Sequence, residues 1–437
     1  MTEAAHHDPV NEYEREPVPE KALLGLKNYV GQFAGEHVAG TELMIGPLFL
    51  ASGVSAFDFI FGLLVGNLLA VLSWTFFTAP IATRVRLTLY YQLEQICGRR
   101  LVTLYNFANG VMFTVLAGAM MTVSATALGV YFNFAMPQLT DTLPTGAGWV
   151  VAVLATGALF SVVAAYGYRF VSRFANIAAP WMVLVFVAFG IIGLRQMGLK
   201  SVGDFWHVAS TVIWTGGSPQ PGQVKFTFWH VMFFAWFCNM AWHIGMADLS
   251  VLRYARKPSY GLASAAGMYI GHFMAWIAAS ILYAVQLHQD PSNTAVLPGP
   301  LAYRACGVAG LLAVVTAGWT TANPTLYRAG LAFQSLIPGS SRFKVTLITG
   351  LVASVTAVFP IVTMRLLGFV ALWGMILMPM GAVIFMDFWV LPRLGLRSNF
   401  AAAVGSQFNW AAGLAWLRMV GMPITSRAAA PSSEKTW

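Results

Sequence analysis

The chain has 437 residues, 58% of them hydrophobic and 9% charged, with a mean hydropathy of +0.67. Apolar runs of membrane-spanning length recur from end to end, which excludes a soluble or disordered class and predicts an all-α polytopic membrane protein. The 25 Lys+Arg exceed the 16 Asp+Glu but are scattered between the runs, so they report membrane topology and not a nucleic-acid surface.

Residues 1–28 are polar, acidic and proline-containing. They lack the basic start and apolar core of a cleavable signal peptide and are expected to be a solvated cytoplasmic tail. Ten apolar windows follow, at about 29–53, 57–78, 101–133, 148–167, 175–194, 228–247, 262–287, 301–323, 345–361 and 366–391. With the amino terminus inside, the cytoplasmic connections hold Arg84, Arg86, Arg99, Arg100, Arg169, Arg173, Arg253, Arg256, Lys257, Arg328, Arg342, Lys344, Arg393 and Arg397. The opposite connections hold only Arg195, Lys200, Lys225, Arg304 and Arg365, an asymmetry that orients the chain as a multi-pass protein of the cell (inner) membrane.

The first window carries Glu36, His37 and Glu42 among Gly31, Gly35, Gly40, Gly46 and Pro47. An ionised side chain at the bilayer centre costs about 2.5–3.5 kcal/mol on insertion scales, so such groups face a cavity, an ion or a partner. Glycine and proline weaken the helix at the same place, which is tolerable only where the freed backbone lines protein or water. The sixth window repeats the pattern with Asn239, His243, Gly245 and Asp248. Interrupted helices at corresponding positions of two halves point to a transport site at the midplane. The halves are expected at 29–195 and 228–391, with inverted topology, joined by an external linker at 196–227. Residues 392–437 form a tail with an incomplete eleventh segment, since Trp410 to Met422 is short and Arg418 interrupts it.

Cys97, Cys238 and Cys306 lie in or beside different windows without metal-ligand spacing. No nucleophile elbow, paired-histidine metal motif or phosphate loop stands in a suitable context, so the residues point to a carrier and not to an enzyme, with no cofactor.

The stretches GVSAFDFIFGLLVGNLLA (53–70), MADLSVLRYARK (246–257), WTTANPTLYRAGLAF (319–333), PMGAVIFMDFWVL (379–391) and FNWAAGLAW (408–416) resemble the nucleobase-cation symporter family of cytosine, purine, allantoin and hydantoin permeases, in the family's order. The resemblance implies a LeuT-like bundle in which spans one and six are unwound beside the substrate. It places a cation, sodium first, between spans one and eight, held by the hydroxyls of Thr320 and Thr321, the Ala317 carbonyl and first-span carbonyls from Gly40 to Leu43. Hydroxyl and carbonyl oxygens suit a hard cation.

For the substrate, the resemblance directs attention to Phe113 in span three, where the family commonly has a tryptophan, to Trp236, Phe237, Asn239 and Trp242 in span six, and to Asn323 after the threonine pair. Glu42 at the span-one break would favour a cationic group, an N–H donor or a proton. Glu36 and His37 are expected toward the inner vestibule and, with His243 and His272, as members of a proton relay that could reach Glu42. The expected function is cation-coupled uptake of a small nitrogen heterocycle, nucleobase-like or vitamin-precursor-like. Proton-coupled carriage of a cationic amine through Glu42 is the alternative, with a channel behind it.

Overall fold

The computed structural model describes residues 12–137, 141–243, 246–337, 339–361 and 366–428, without the side chains at 240–242, 366–367 and 421–428. Those residues are helical apart from connections and two isolated bridges, Leu24 with Ala255 and Ser55 with Thr215.

The first span is two helices, α1 (Leu26–His37) and α2 (Glu42–Ala51). α3 (Ala56–Val85), α4 (Arg99–Phe132), α5 (Ala147–Ala165) and α6 (Tyr168–Gln196) follow, with a short helix Leu89–Cys97 between α3 and α4. The sixth span is split again, into α7 (Phe228–Trp242) and α8 (Leu249–Leu252). Then come α9 (Pro258–Gln289), α10 (Pro298–Leu336), α11 (Arg342–Ala357), α12 (Gly368–Val390) and α13 (Trp410–Ala428). Of these, 7 helices are long and apolar enough to cross a membrane. The two split spans and the 16-residue α11 complete the ten that the sequence predicts.

Close backbone approach holds the first break in place. A Cβ on Gly40 would stand 2.3 Å from Val123 Cγ1, and one on Gly46 would stand 2.6 Å from the Trp276 carbonyl oxygen. The break therefore presses on α4, and α2 lies directly on α9. Gly271 of α9 gives room to His37, whose Cβ would be 2.6 Å from a side chain there. α9 is π-helical over Ala266–Phe273, a local widening of the kind that re-aims side chains at functional sites. The linker packs on the end of the first span: Trp214 donates to Ser280 Oγ at 2.9 Å, and Lys225 donates to the carbonyls of Gly216 at 2.7 Å, Gly217 and Gly53.

Three expectations change. α10 does not stop at residue 323; it accepts Pro324 and runs to Leu336, bending at Gly307, where φ is 55°. Arg328, counted above as a residue of a cytoplasmic connection, is thus inside the bundle and 1% exposed. The amino-terminal tail is not fully solvated either. Glu12 and Val18 are buried, Arg253 donates to the Glu12 and Tyr13 carbonyl oxygens at 2.8 and 2.6 Å, and Arg342 Nε lies 3.5 Å from Glu12 Oε2. Finally, Arg418 does not interrupt the segment read as an incomplete eleventh span: it is a 19-residue helix that donates from Trp416 Nε1 to the Ile376 carbonyl, yet it is not among the helices long and apolar enough to cross a membrane. Arg365, on the opposite side of the charge asymmetry, lies outside the described residues.

Candidate functional site

The two breaks meet. His37 ends α1 and His243 follows α7, and their Nε2 atoms are 3.0 Å apart. Around this joint lies a cavity of about 430 Å³ of empty space, mouth included, lined by Glu36, His37, Ala39, Thr41, Glu42, Ile45, Phe113, Leu116, His243, His272, Thr321, Thr325 and Arg328.

Arg328 is the centre of the charged wall. Its guanidinium donates to Glu36 Oε1 at 2.5 Å and Oε2 at 3.3 Å and, on the other side, to Asp248 Oδ1. One arginine of α10 therefore ties the first span to the residues that lead into α8. Asp248 also accepts from Trp74 Nε1 at 2.5 Å and has His243 Nδ1 at 2.9 Å. Phe113 forms the facing wall, with its ring centroid 5.8 Å from the guanidinium carbon. All of these groups are buried, where an unpaired charge would be costly and a paired, hydrogen-bonded one is tolerated.

Glu42 caps the other end. It is the first residue of α2, beside the positive end of that half-helix. It accepts from Trp276 Nε1, has Thr41 Oγ1 at 3.5 Å, and faces His272 Nε2 at 3.5 Å. None of these partners is a fixed cation. The His272 ring packs on Trp276 and edge-on to His37, with centroids 4.4 and 4.6 Å away. The four groups expected to relay protons, Glu36, His37, His243 and His272, thus form one cluster with Glu42, and Glu36 and His37 stand in the cavity wall itself instead of a separate vestibule.

Beside the cavity, Thr320 Oγ1 and Thr321 Oγ1 lie 3.1 and 3.0 Å from the Ala317 carbonyl oxygen. Thr321 Oγ1 is also 3.0 Å from the Glu36 carbonyl oxygen. This is an oxygen cluster of the hydroxyl-and-carbonyl kind that suits a hard cation. The first-span carbonyl brought to it is that of Glu36, not one from Gly40 to Leu43. The Gly40 carbonyl accepts from Leu43 N at 3.3 Å within the break.

The span-six residues fall elsewhere. Phe237 is 44% exposed and stacks on Phe233 along the outer face of α7. Trp236 donates to Ser73 of α3 at 3.2 Å, and Asn239 donates to the Ala235 carbonyl at 2.6 Å and to Asn67 at 3.3 Å. The physical reason is that α7 stays helical through this aromatic stretch, so successive residues are fanned around the helix and only the end of α7 meets the cavity. The Trp242 side chain lies outside the described residues. Asn323 is buried on α10 but does not line the cavity, and its amide has no hydrogen-bond partner among the described residues.

Among the site residues that the sequence reading missed are Arg328, Thr325 and Thr41, which line the cavity, and Trp276, which donates to Glu42. Thr321, Thr325 and Arg328 stand at i, i+4 and i+7, one face of a helix, and His272 and Trp276 at i and i+4. Asp248 pairs with Arg328, and His243 Nδ1 lies 2.9 Å from its other oxygen.

No family model and no curated protein matches the chain. Solved structures do. A sodium-coupled sialic acid symporter in a substrate-bound outward-open state matches with a TM-score of 0.63 at 17% identity, over 96% of this chain and 92% of its own. Mhp1, a nucleobase-cation-symport-1 family transporter in a closed conformation with bromovinylhydantoin bound, matches with a TM-score of 0.66 at 15% identity, over 98% of each chain. An Eremococcus coleocola manganese transporter matches with a TM-score of 0.58 at 14% identity, over 94% of this chain and 89% of its own. At these identities the likeness is one of architecture: the chain is an all-α, multi-pass membrane protein with the LeuT-type fold of these transporters.

Proposed function

We propose that the chain is a secondary transporter that carries a small nitrogen heterocycle, nucleobase-like or vitamin-precursor-like, into the cell with a cation by alternating access. The observation that supports this best is the double engagement of Glu36. Its carbonyl oxygen faces Thr321 in the oxygen cluster, while its carboxylate holds Arg328 in the cavity wall. A sodium ion at Thr320, Thr321, Ala317 and Glu36 would fix the end of α1 and, through it, the shape of the cavity. Phe113 offers a ring face and Glu42 an acceptor for N–H groups. One monovalent charge crossing the membrane contributes about 2.3 kcal/mol per 100 mV, enough to drive appreciable accumulation.

The sparse pairing of Glu42 favours a second reading, proton-coupled carriage of a cationic amine whose charge would meet that carboxylate. A thermal-shift screen of the purified protein separates the two. Purines, pyrimidines, hydantoins, thiamine, pyridoxine and small quaternary amines are tested with and without sodium. Stabilisation by neutral heterocycles that deepens with sodium supports the first reading; stabilisation only by cationic amines, indifferent to sodium, replaces it with the second. Uptake of the stabilising compound against its own gradient in vesicles dismisses a channel.

A further inference from the structure

Among the described residues, three buried nitrogens of side chains that line the cavity have no hydrogen-bond partner: His243 Nδ1, His272 Nδ1 and Arg328 Nε. An imidazole nitrogen donates or accepts according to its tautomer, whereas a guanidinium N–H only donates. Arg328 Nε therefore needs an acceptor. The hydroxyls on the same face of α10 are already engaged within the protein: Thr325 Oγ1 donates to the Thr321 carbonyl at 2.6 Å, and Thr321 Oγ1 lies 3.0 Å from the Ala317 and Glu36 carbonyl oxygens. Both Nη atoms are held by Glu36 and Asp248, which fixes the plane of the fork and leaves its Nε edge open. A buried N–H of a charged group without an acceptor is strongly unfavourable, so its partner comes from outside the chain.

We infer that Arg328 is a specificity-determining residue whose Nε–H donates to an uncharged carbonyl oxygen of the transported molecule. The charge balance selects an uncharged acceptor. One guanidinium already serves the carboxylates of Glu36 and Asp248, with Glu42 a further carboxyl group in the same cavity, so an anionic ligand would enter a wall whose cation is fully engaged. A carbonyl oxygen accepts from Nε without bringing a charge. The Phe113 ring, 5.8 Å from the guanidinium carbon, offers the flat surface against which a ring carrying that carbonyl would lie. Glu42 caps the other end and takes an N–H, so the molecule is read at two points, its acceptor by Arg328 and its donor by Glu42. The inference rests on the heterocycle reading above and deepens it by naming the group that must project toward α10.

Calorimetric binding to the purified full-length protein, in sodium and at slightly acidic pH, tests the assignment. The probes are uracil, hydantoin and hypoxanthine, their analogues with one carbonyl oxygen replaced by sulfur, and the carboxylate-bearing rings orotate and hydantoin-5-acetate. Sulfur is a weak acceptor, so for a ring that binds, replacing the oxygen that faces Arg328 is expected to weaken binding about tenfold. The carboxylate-bearing rings are expected to bind more weakly than their parents. Because sulfur is also larger, Arg328→Lys separates size from hydrogen bonding: it keeps a cation for Glu36 and Asp248 but has no Nε, and the preference for oxygen should disappear. Should that variant not fold, Arg328→Met combined with Glu36→Gln removes the cation together with one of its carboxylates and reads the same loss. A carboxylate-bearing ring bound more tightly than its parent, or an oxygen preference retained in the variant, overturns the inference. Equal affinity for oxygen and sulfur in the unaltered protein leaves Nε to water and also overturns it, with the heterocycle reading still standing. Failure of all three rings to bind removes that reading and the inference with it.

Discussion

Arg328→Gln is the sharpest perturbation of the charged wall. Arg328 is 1% exposed, and its fork serves Glu36 through both Nη atoms and Asp248 through one. Removing it leaves two buried carboxylates without their cation, and breaking a buried pair in this way costs about 3–5 kcal/mol. Glu36→Gln is milder, about 1.5–3 kcal/mol, because the guanidinium keeps Asp248. Once Arg328 is gone, however, neutralising Glu36 removes a charge that has no partner, so the double variant should be more stable than the sum of the single losses by about 1–3 kcal/mol. Equilibrium unfolding in mixed micelles, monitored by tryptophan fluorescence, measures all four corners of the cycle. Additive losses within about 0.5 kcal/mol would mean that the two side chains do not interact, and the wall described here would be wrong. A loss below about 1 kcal/mol for Arg328→Gln alone would place that side chain in contact with water.

Thr321→Ala removes one hydroxyl from the oxygen cluster. It should weaken stabilisation by sodium about tenfold, the equivalent of roughly 1.4 kcal/mol, in a sodium titration of the melting temperature; an unchanged titration removes sodium from that position. Glu42→Gln keeps the shape and the Trp276 contact but not the charge, and should abolish the thermal shift given by cationic amines while sparing that of compounds held by Phe113; equal losses for both would place Glu42 outside the binding surface. Gly40→Val drives a side chain into Val123 and should prevent the break from seating against α4, read as loss of sodium-induced protection in hydrogen exchange across residues 36–43; retained protection refutes the close approach. Burial raises the Glu12 carboxyl above its ordinary value, with Arg342 and then Arg253 pulling it down. A raised value in the folded state means that its stabilising share is complete at low pH and lost as pH rises through that value. Protease cleavage near residues 12–18 should therefore increase from acid to neutral pH, and Glu12→Gln should flatten the profile; a cleavage rate that falls with pH contradicts the sign.

The split spans were legible because acids and glycines do not sit in a lipid-facing helix without cause, and Glu36, His37, Glu42, His243 and Asp248 all stand at the two breaks. What hydropathy could not express was Arg328. A window treats arginine as a charge against lipid, and with Pro324 before it the apolar run ends at residue 323. The actual helix continues because Arg328 is charged against Glu36 and Asp248, which lie 292 and 80 positions away in the chain. The span-six aromatics failed for the converse reason. The resemblance implies a sixth span unwound beside the substrate and directs attention to its aromatics, whereas the helix holds through them and opens only after Trp242. Both errors have one origin: the cost of a buried charge or a freed backbone group depends on partners supplied by other helices, so helix ends in this bundle are set at the site. That is also why the residues most remote from an apolar pattern are the ones on which the two halves meet.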